Sequence, residues 1–261
     1  MKTDDTRLRF WAKSKILPTL ALIPFLSATI NAGPQVSLPE TEFNFGQMPM
    51  SSIVQHTFWI HSTGDDTVFI DTIITGCGCT TIPLERTFLP PGDSMRFTAE
   101  FDSKGFRGSV VKRPSFRLRG DTTSYGVKFY AYVVTRPQER SPLDVSPTFF
   151  DYSNITGEKT QKVVFGLKNT GDVDISLSIV DSPQDIIAIR IPDSLKVGQQ
   201  GPGMISLLPD FQYRDFTTSL TIEVNNSDMY RVTIPLFRRT ESADSTGPVN
   251  RANDSTQTTG P

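Results

Sequence analysis

The sequence predicts an all-β protein that contains two tandem β-sandwich domains. Three observations predict this class: apolar residues recur in short period-2 runs, turn residues separate the runs, and the second half of the chain repeats the first. No convincing amphipathic helix interrupts these runs, and many short strands in this arrangement are typical of a sandwich. The 261 residues suffice for two domains of this kind.

The first 32 residues predict a secretory signal peptide. Basic residues come first, an almost wholly apolar run extends from Ile16 to Ala28, and small residues follow it. Pro18 and Pro24 fall inside the apolar run, which argues against an uncleaved anchor helix. We therefore expect cleavage after Ala32 and a periplasmic or secreted protein. No later segment is long and apolar enough to span a membrane, so none is expected after cleavage.

Residues 36–135 predict the first sandwich domain. Val54, His56, Phe58 and Ile60 share one parity of an alternating run, which indicates a strand with one buried face. Further runs of this kind follow along the chain. The turns between them contain Gly or Pro beside Asp, and lie at 63–66, 90–93 and 119–121.

An internal repeat predicts the second sandwich domain at residues 143–238. Corresponding positions keep one offset without a gap, since 150 − 43 = 107 and 171 − 64 = 107. The matching pairs are Phe43 with Phe150, Phe45 with Tyr152, Phe58 with Phe165, Ile60 with Leu167, Gly64 with Gly171, and Val68 with Ile175. Register held over such a span indicates two copies of one domain.

Two polar segments border the second copy. Residues 136–142 contain two prolines and no apolar side chain apart from these, which predicts a short, stiff linker. Residues 239–261 are dominated by Ser, Thr, Asp, Asn, Gly and Pro, which predicts a disordered tail.

Charge and composition exclude some classes of partner. The formal net charge is −2 and charged residues make up 21% of the chain, with both signs mixed. Nucleic-acid binding needs a concentrated basic field, so no nucleic-acid partner is expected.

Cys77 and Cys79 are the two cysteines of the chain, and Gly78 separates them. Residues two apart in a strand point to one side, so both sulfurs are expected to face one neighbour. Three interpretations stay open: a disulfide or packed pair with a local structural role, a redox pair, or ligands for copper(I) or zinc with help from His56 or His61. Two thiolates alone do not complete a zinc shell.

No catalytic arrangement is recognisable. His56 and His61 have opposite parity on one predicted strand, so a regular strand cannot aim both at one site. His56 falls with the inward set and is expected to be packed and hydrogen-bonded. Neither a nucleophile elbow nor a metalloprotease motif accompanies the histidines, so we expect no enzymatic activity and no cofactor.

One basic concentration is a candidate binding surface. Two of its members, Arg117 and Arg119, flank inward Phe116 and Leu118. The group either forms a solvated face that discourages edge pairing or binds an anionic glycan or lipid. The residues are Arg107, Lys112, Arg113, Arg117 and Arg119.

The first predicted domain resembles a bacterial family known as domain of unknown function 1573. The resemblance covers roughly residues 43–134 and follows the family order of a Phe-x-Phe-Gly element, an apolar strand, a turn glycine, a Cys-Gly-Cys-Thr element and a Pro-Gly turn. Matching residues are Phe43, Phe45, Gly46, His56, Phe58, Gly64, Cys77, Cys79, Thr80, Pro91 and Gly92. The family is similar to immunoglobulin-like domains of the major sperm protein and Hydin type, which are mostly binding or scaffold modules.

The resemblance therefore implies an immunoglobulin-like sandwich without an assigned activity. Two departures stand out: Ser62 replaces the usual Asn, and the second copy has Gln184 and Ile186 where the cysteines would be. We expect an exported cell-envelope module that binds an envelope protein or glycan, or serves a structural role, without catalysis. The alternative is a metal- (copper-) or thiol-handling periplasmic protein that uses Cys77 and Cys79.

Overall fold

A computed structural model describes residues 33–135, 140–154 and 161–239. The predicted signal peptide at 1–32, most of the predicted linker and the tail from residue 240 lie outside these ranges. Within them the chain is all-β, as predicted, and its only helical element is the 3-10 turn Pro209–Phe211. None of the described segments is a helix long and apolar enough to cross a membrane.

The strands are numbered in chain order. The N-terminal half contains β1 (Val36–Ser37), β2 (Glu42–Pro49), β3 (Ile53–Ser62), β4 (Val68–Ile74), β5 (Thr80–Thr81), β6 (Phe88–Leu89), β7 (Ser94–Asp102), β8 (Gly108–Lys112), β9 (Ser115–Leu118), β10 (Ser124–Gly126) and β11 (Lys128–Val134). The C-terminal half contains β12 (Leu143–Ser146), β13 (Phe150–Asp151), β14 (Lys162–Asn169), β15 (Ile175–Asp181), β16 (Ile187–Arg190), β17 (Ser194–Leu195), β18 (Gln200–Leu207), β19 (Phe216–Val224) and β20 (Ser227–Arg238).

The N-terminal half forms a sandwich around an aromatic core. One layer has the strand order β1-β3-β7-β5, and β10-β9-β4-β6 contributes to the facing layer. Phe58 of β3 and Phe97 of β7 are fully buried, and the rings of Phe97 and Phe116 are 5.4 Å apart across the core. The predicted buried face of β3 is confirmed, because the even-numbered side chains of this strand are buried and the odd-numbered ones are not.

The C-terminal half repeats this arrangement around a second core. Its layer β12-β14-β18-β16 has the same relative order as β1-β3-β7-β5, and β15 pairs with β17 and β19 as β4 pairs with β6 and β9. Tyr152 and Phe165 lie in this core at the positions that Phe45 and Phe58 occupy in the first. The repeat in the sequence thus corresponds to a repeat in strand pairing.

One eight-stranded sheet crosses from one half to the other. Its order is β17-β15-β19-β20-β2-β11-β8, with β13 also paired to β20. Strand β2 lies between β11 and β20 and is parallel to both; Gln47 is opposite Val232 at the crossing. Both cores belong to one compact unit. The sequence pattern did not predict this sheet, because periodicity identifies the buried face of a strand and not the strand beside it.

Gly46 allows β2 to fit between these neighbours. Its φ is +63°, and the register between β2 and β11 shifts at this point. A Cβ atom on residue 46 would lie 2.1 Å from the carbonyl oxygen of Arg231 on β20. Gly46, the last residue of the Phe-x-Phe-Gly element, therefore permits both the left-handed backbone and the close approach of β20.

Replacing Gly46 by Ala tests this role. We expect Gly46→Ala to lower the free energy of unfolding by about 2–5 kcal/mol, because it combines backbone strain with overpacking against Arg231. Gly198→Ala is the matched control, since Gly198 has a φ of +71° with open space around it and should cost only about 1–2 kcal/mol. If denaturant unfolding shows that both variants lose the same free energy of unfolding, the close approach of Arg231 to Gly46 does not constrain residue 46, and the assigned role is wrong.

Candidate functional site

Strand β8 is the open end of the eight-stranded sheet. It pairs with β11 from Gly108 to Lys112, and no other described strand pairs with its second edge. Val110 is buried, whereas Val111 is exposed on the outer face of the sheet. The second edge therefore presents unpaired backbone N–H and C=O groups beside an apolar side chain.

A groove of about 470 Å³ lies on the outer face next to this edge. Val111, Tyr130 and Tyr132 line it from the N-terminal half, and Met229 and Tyr230 line it from the C-terminal half. Met229 is 73% exposed. The crossing of the sheet therefore produces an apolar and aromatic surface to which both halves contribute.

Charged side chains cover one side of two groove rings. The Lys128 ammonium lies 5.1 Å from the ring centroid of Tyr130, and the Arg140 guanidinium lies 4.3 Å from that of Tyr132. Lys128 also donates a hydrogen bond to Glu42, which holds the pKa of that carboxyl below its ordinary value. The groove thus combines aromatic surface with carboxylate and cationic groups whose positions are fixed by mutual contacts.

The five predicted basic residues lie on or next to β8 and β9, and they differ in their contacts. Arg107 and Arg113 are exposed immediately before and after β8, and Arg117 is exposed on β9. The Arg119 guanidinium lies 4.7 Å from the ring centroid of Phe69. Lys112 points toward the cysteine loop. The free edge of β8 is therefore bordered by two exposed guanidinium groups.

Cys77 and Cys79 lie in the loop between β4 and β5, where a disulfide with an S–S distance of 2.06 Å joins them. Both residues are partly buried, and Cys79 packs against the core of the N-terminal half. No group of three or more metal-ligating side chains occurs among the described residues. Metal ligation needs the reduced thiolates and stays a prediction.

The Lys112 ammonium contacts the disulfide. Its Nζ lies 3.4 Å from Sγ of Cys77 and 4.4 Å from the ring centroid of Phe106. In the described part of the chain, no carboxylate forms an ion pair with Lys112. The sequence predicts Lys112 as part of a surface patch, and only the three-dimensional position of β8 beside the cysteine loop brings it to the sulfur.

His56 has a structural position between the two halves. Its Nδ1 lies 2.7 Å from Oδ2 of Asp181 on β15, and its Nε2 lies 3.1 Å from Oε2 of Glu40. The imidazole is buried and stacks on Phe43 with a centroid distance of 3.6 Å. His56 is packed and hydrogen-bonded, as expected, and neither ring nitrogen is left for a metal shared with the cysteines.

Two further contacts hold the halves together. Oγ of Ser219 on β19 accepts from the backbone N–H of Gln55 and donates to its carbonyl, both at 3.0 Å. Arg231 donates to the carbonyl oxygen of Asn44 at 3.1 Å, and a 2.7 Å ion pair with Glu223 of its own half positions the guanidinium for this contact. These contacts fix the two sides of the groove relative to each other.

Residues 36–133 match the family model described as "Protein of unknown function (DUF1573)". The match supports a DUF1573 domain in the N-terminal half. A search of curated proteins found no match. Strand β8, the disulfide and Lys112 lie within the matched segment.

Similar solved structures share low sequence identity with the chain. One is a protein of unknown function from Porphyromonas gingivalis W83, at 12% identity and a TM-score of 0.33, with 78% of this chain and 99% of that chain covered. Another is the CupB2 chaperone of Pseudomonas aeruginosa, at 10% identity and a TM-score of 0.30, with 76% and 98% covered. A third is a PapD-like domain of human CEP192, at 6% identity and a TM-score of 0.30, with 49% and 99% covered.

The contacts of His56 predict that it contributes more to the stability of the fold than His61 does. His56→Ala should lower the free energy of unfolding by at least about 2 kcal/mol, because it removes a buried ring and leaves Asp181 without its partner. His61→Ala, on the same strand but partly exposed, should change it by less than about 0.5 kcal/mol. Urea unfolding of both variants measures these losses. A loss of free energy for His56→Ala as small as that for His61→Ala would contradict the position assigned to His56.

Proposed function

We propose that the protein is an exported cell-envelope module that binds an extended polypeptide along the free edge of β8, and that this binding involves no catalysis. The observation that carries the proposal is the unpaired edge of β8 at the end of the eight-stranded sheet, next to an exposed groove. An extended segment that adds a strand to such an edge gains main-chain hydrogen bonds. Its alternate side chains would then contact the groove face or the opposite face of the sheet.

A polypeptide suits this surface better than a glycan. Sugars stack on open aromatic faces, but Lys128 and Arg140 already cover one face of Tyr130 and of Tyr132. Exposed Val111, Met229 and Tyr230 are residue types that pack against apolar side chains of a protein partner. The partner class that follows is an envelope protein with an extended segment.

The charge beside the edge favours an acidic segment. Arg107 and Arg113 are exposed at the two ends of β8. Carboxylates of a strand added to β8 would lie near these guanidinium groups, which steers encounter and fixes the register. An acidic, extended segment with alternating apolar residues therefore matches the edge, its borders and the groove.

We further propose that the chain forms two tandem immunoglobulin-like domains, at residues 36–135 and 143–238. Two separate cores and the matching strand orders support this division. The second domain supplies Met229 and Tyr230 to the groove, so it completes the binding surface of the first. In this role the cysteines are not needed.

Binding to a designed peptide tests the proposal. A decapeptide of alternating Val and Asp should bind and slow hydrogen exchange of β8 amides, whereas alternating Val and Lys should bind at least about tenfold more weakly. Val111→Glu should weaken binding of the acidic peptide by a similar factor, because it removes the apolar contact and repels the Asp side chains. Val164→Glu is the matched control, because Val164 is an exposed valine on β14, which belongs to a different sheet from β8.

Two outcomes of this titration would reject the proposal. One is equal binding of the two peptides, because the Arg107 and Arg113 borders would then play no part. The other is protection of β14 or another strand with β8 amides unchanged, because the polypeptide would then bind elsewhere.

Export is tested independently of binding. We expect the intact mass of protein secreted by its native route to lack residues 1–32, because the N-terminal segment has the charge and apolar pattern of a cleaved signal peptide. A mass that includes this segment, or full-length protein retained in the cytoplasm, contradicts the export part of the proposal.

A further inference from the structure

We propose that Cys77 and Cys79 form a thiol–disulfide exchange site in which Lys112 stabilises the Cys77 thiolate. The substrate class is a disulfide-bonded or dithiol segment of another envelope protein. The inference goes beyond polypeptide binding and does not depend on it, because it rests on the disulfide and its ammonium neighbour alone.

The contact between Lys112 and Cys77 is the first observation. The ammonium lies 3.4 Å from Sγ of Cys77, whereas Cys79 packs against the core. Oγ1 of Thr80 lies at nearly equal distances from the two sulfurs, 3.8 Å and 3.9 Å, and does not distinguish them. A disulfide carries no charge and a thiolate carries one negative charge, so the ammonium favours the reduced form. A cation beside one sulfur and apolar packing beside the other divide the pair into a nucleophile and a resolving cysteine.

The surroundings keep Lys112 available for this role. Its ammonium lies 4.4 Å from the ring centroid of Phe106 and 5.9 Å from that of Phe101, and no described carboxylate forms an ion pair with it. The aromatic rings hold the ammonium by cation–π attraction without neutralising it. Its charge therefore remains available to a thiolate on Cys77.

The repeat indicates that the thiols serve something other than folding. Gln184 and Ile186 occupy the positions 107 residues beyond the cysteines, since 77 + 107 = 184 and 79 + 107 = 186. The C-terminal half has the same strand order without a disulfide at this place. The ring closed by the Cys77–Cys79 bond spans few residues and contributes little to unfolded-state entropy.

The exchange proceeds in two steps. In the reduced protein the Cys77 thiolate attacks one sulfur of a partner disulfide, a Cys77–partner bond forms, the partner S–S bond breaks, and the second partner sulfur leaves as a thiolate. The Cys79 thiol then loses its proton to solvent and attacks Sγ of Cys77, which releases the first partner sulfur as a thiolate. Two electrons pass to the partner disulfide and the Cys77–Cys79 bond is restored; an oxidised protein with a dithiol partner runs the steps in reverse.

Equilibration with glutathione buffers measures the effect of Lys112. Lys112→Met should disfavour the reduced form about tenfold, which corresponds to a reduction potential about 30 mV more negative. Lys104→Met is the matched control, because Lys104 is an exposed lysine on the same half that does not contact the disulfide, and it should leave the equilibrium unchanged. Thermal unfolding of both variants verifies that each is folded.

Trapping distinguishes the two cysteines. With bis(2-hydroxyethyl) disulfide as the probe, reduced Cys79→Ser should accumulate a stable mixed disulfide on Cys77. Reduced Cys77→Ser should react at least about tenfold more slowly at pH 7, because its sulfur has no ammonium beside it. Lys112→Met in the Cys79→Ser background should slow trapping by a comparable factor.

Each result decides the proposal. A glutathione equilibrium that Lys112→Met leaves unchanged, or faster trapping on Cys79 than on Cys77, overturns it. The double variant Cys77→Ser/Cys79→Ser separates the two functions: it should abolish exchange and bind the alternating Val–Asp peptide with unchanged affinity. Failure of exchange with intact peptide binding rejects only the redox site, and the reverse result rejects only the binding edge.

Discussion

The position of β2 between β11 and β20 is the constraint on which the rest of the structure depends. A single strand completes the sheet of the N-terminal half and joins it to the sheet of the C-terminal half. This position requires a residue without a side chain where the backbone of β20 approaches, and Gly46 meets that requirement. With β2 on one side of β11 and β8 on the other, the sheet ends at β8.

The end of the sheet brings binding and thiol chemistry close together. Lys112 is the last residue of β8 and also the ammonium beside Cys77. A polypeptide that pairs with β8 would therefore run toward the cysteine loop, so the two proposed functions share a strand although each is tested separately. The contacts of His56 with Asp181 and of Gln55 with Ser219 hold the second half against the first and fix the groove beside that strand.

The strands, turns and repeat could be predicted from the sequence because their causes are local. Alternation in β3 follows from the pleat, and the turn at Gly92 follows from a φ of +75° with the Asp93 N–H donating to the Pro90 carbonyl. The shared sheet could not be predicted, because the pairing of Gln47 with Val232 joins strands far apart in the sequence. One signal was available: a glycine inside a strand pattern, as at Gly46, often marks close approach of another backbone.

The candidate site was predictable only in its components. The Cys77–Cys79 spacing and the basic residues were visible in the sequence, but the contact that selects Lys112 from among them depends on tertiary register. Similarly, the parity of His56 predicted burial, while its partner Asp181 lies on a strand of the other half. Periodicity assigns a side chain to a face and does not identify what covers that face.

The unpaired edge of β8 is most directly tested by residue-resolved amide hydrogen exchange of the free protein. In an antiparallel pair, alternate amides point to the partner strand and the others point away from it. We therefore expect amides of one parity within Gly108–Lys112 to exchange slowly with those of β11, and amides of the other parity to exchange rapidly. Uniformly slow exchange along β8 would mean that its second edge is already covered, and would contradict the proposed binding surface.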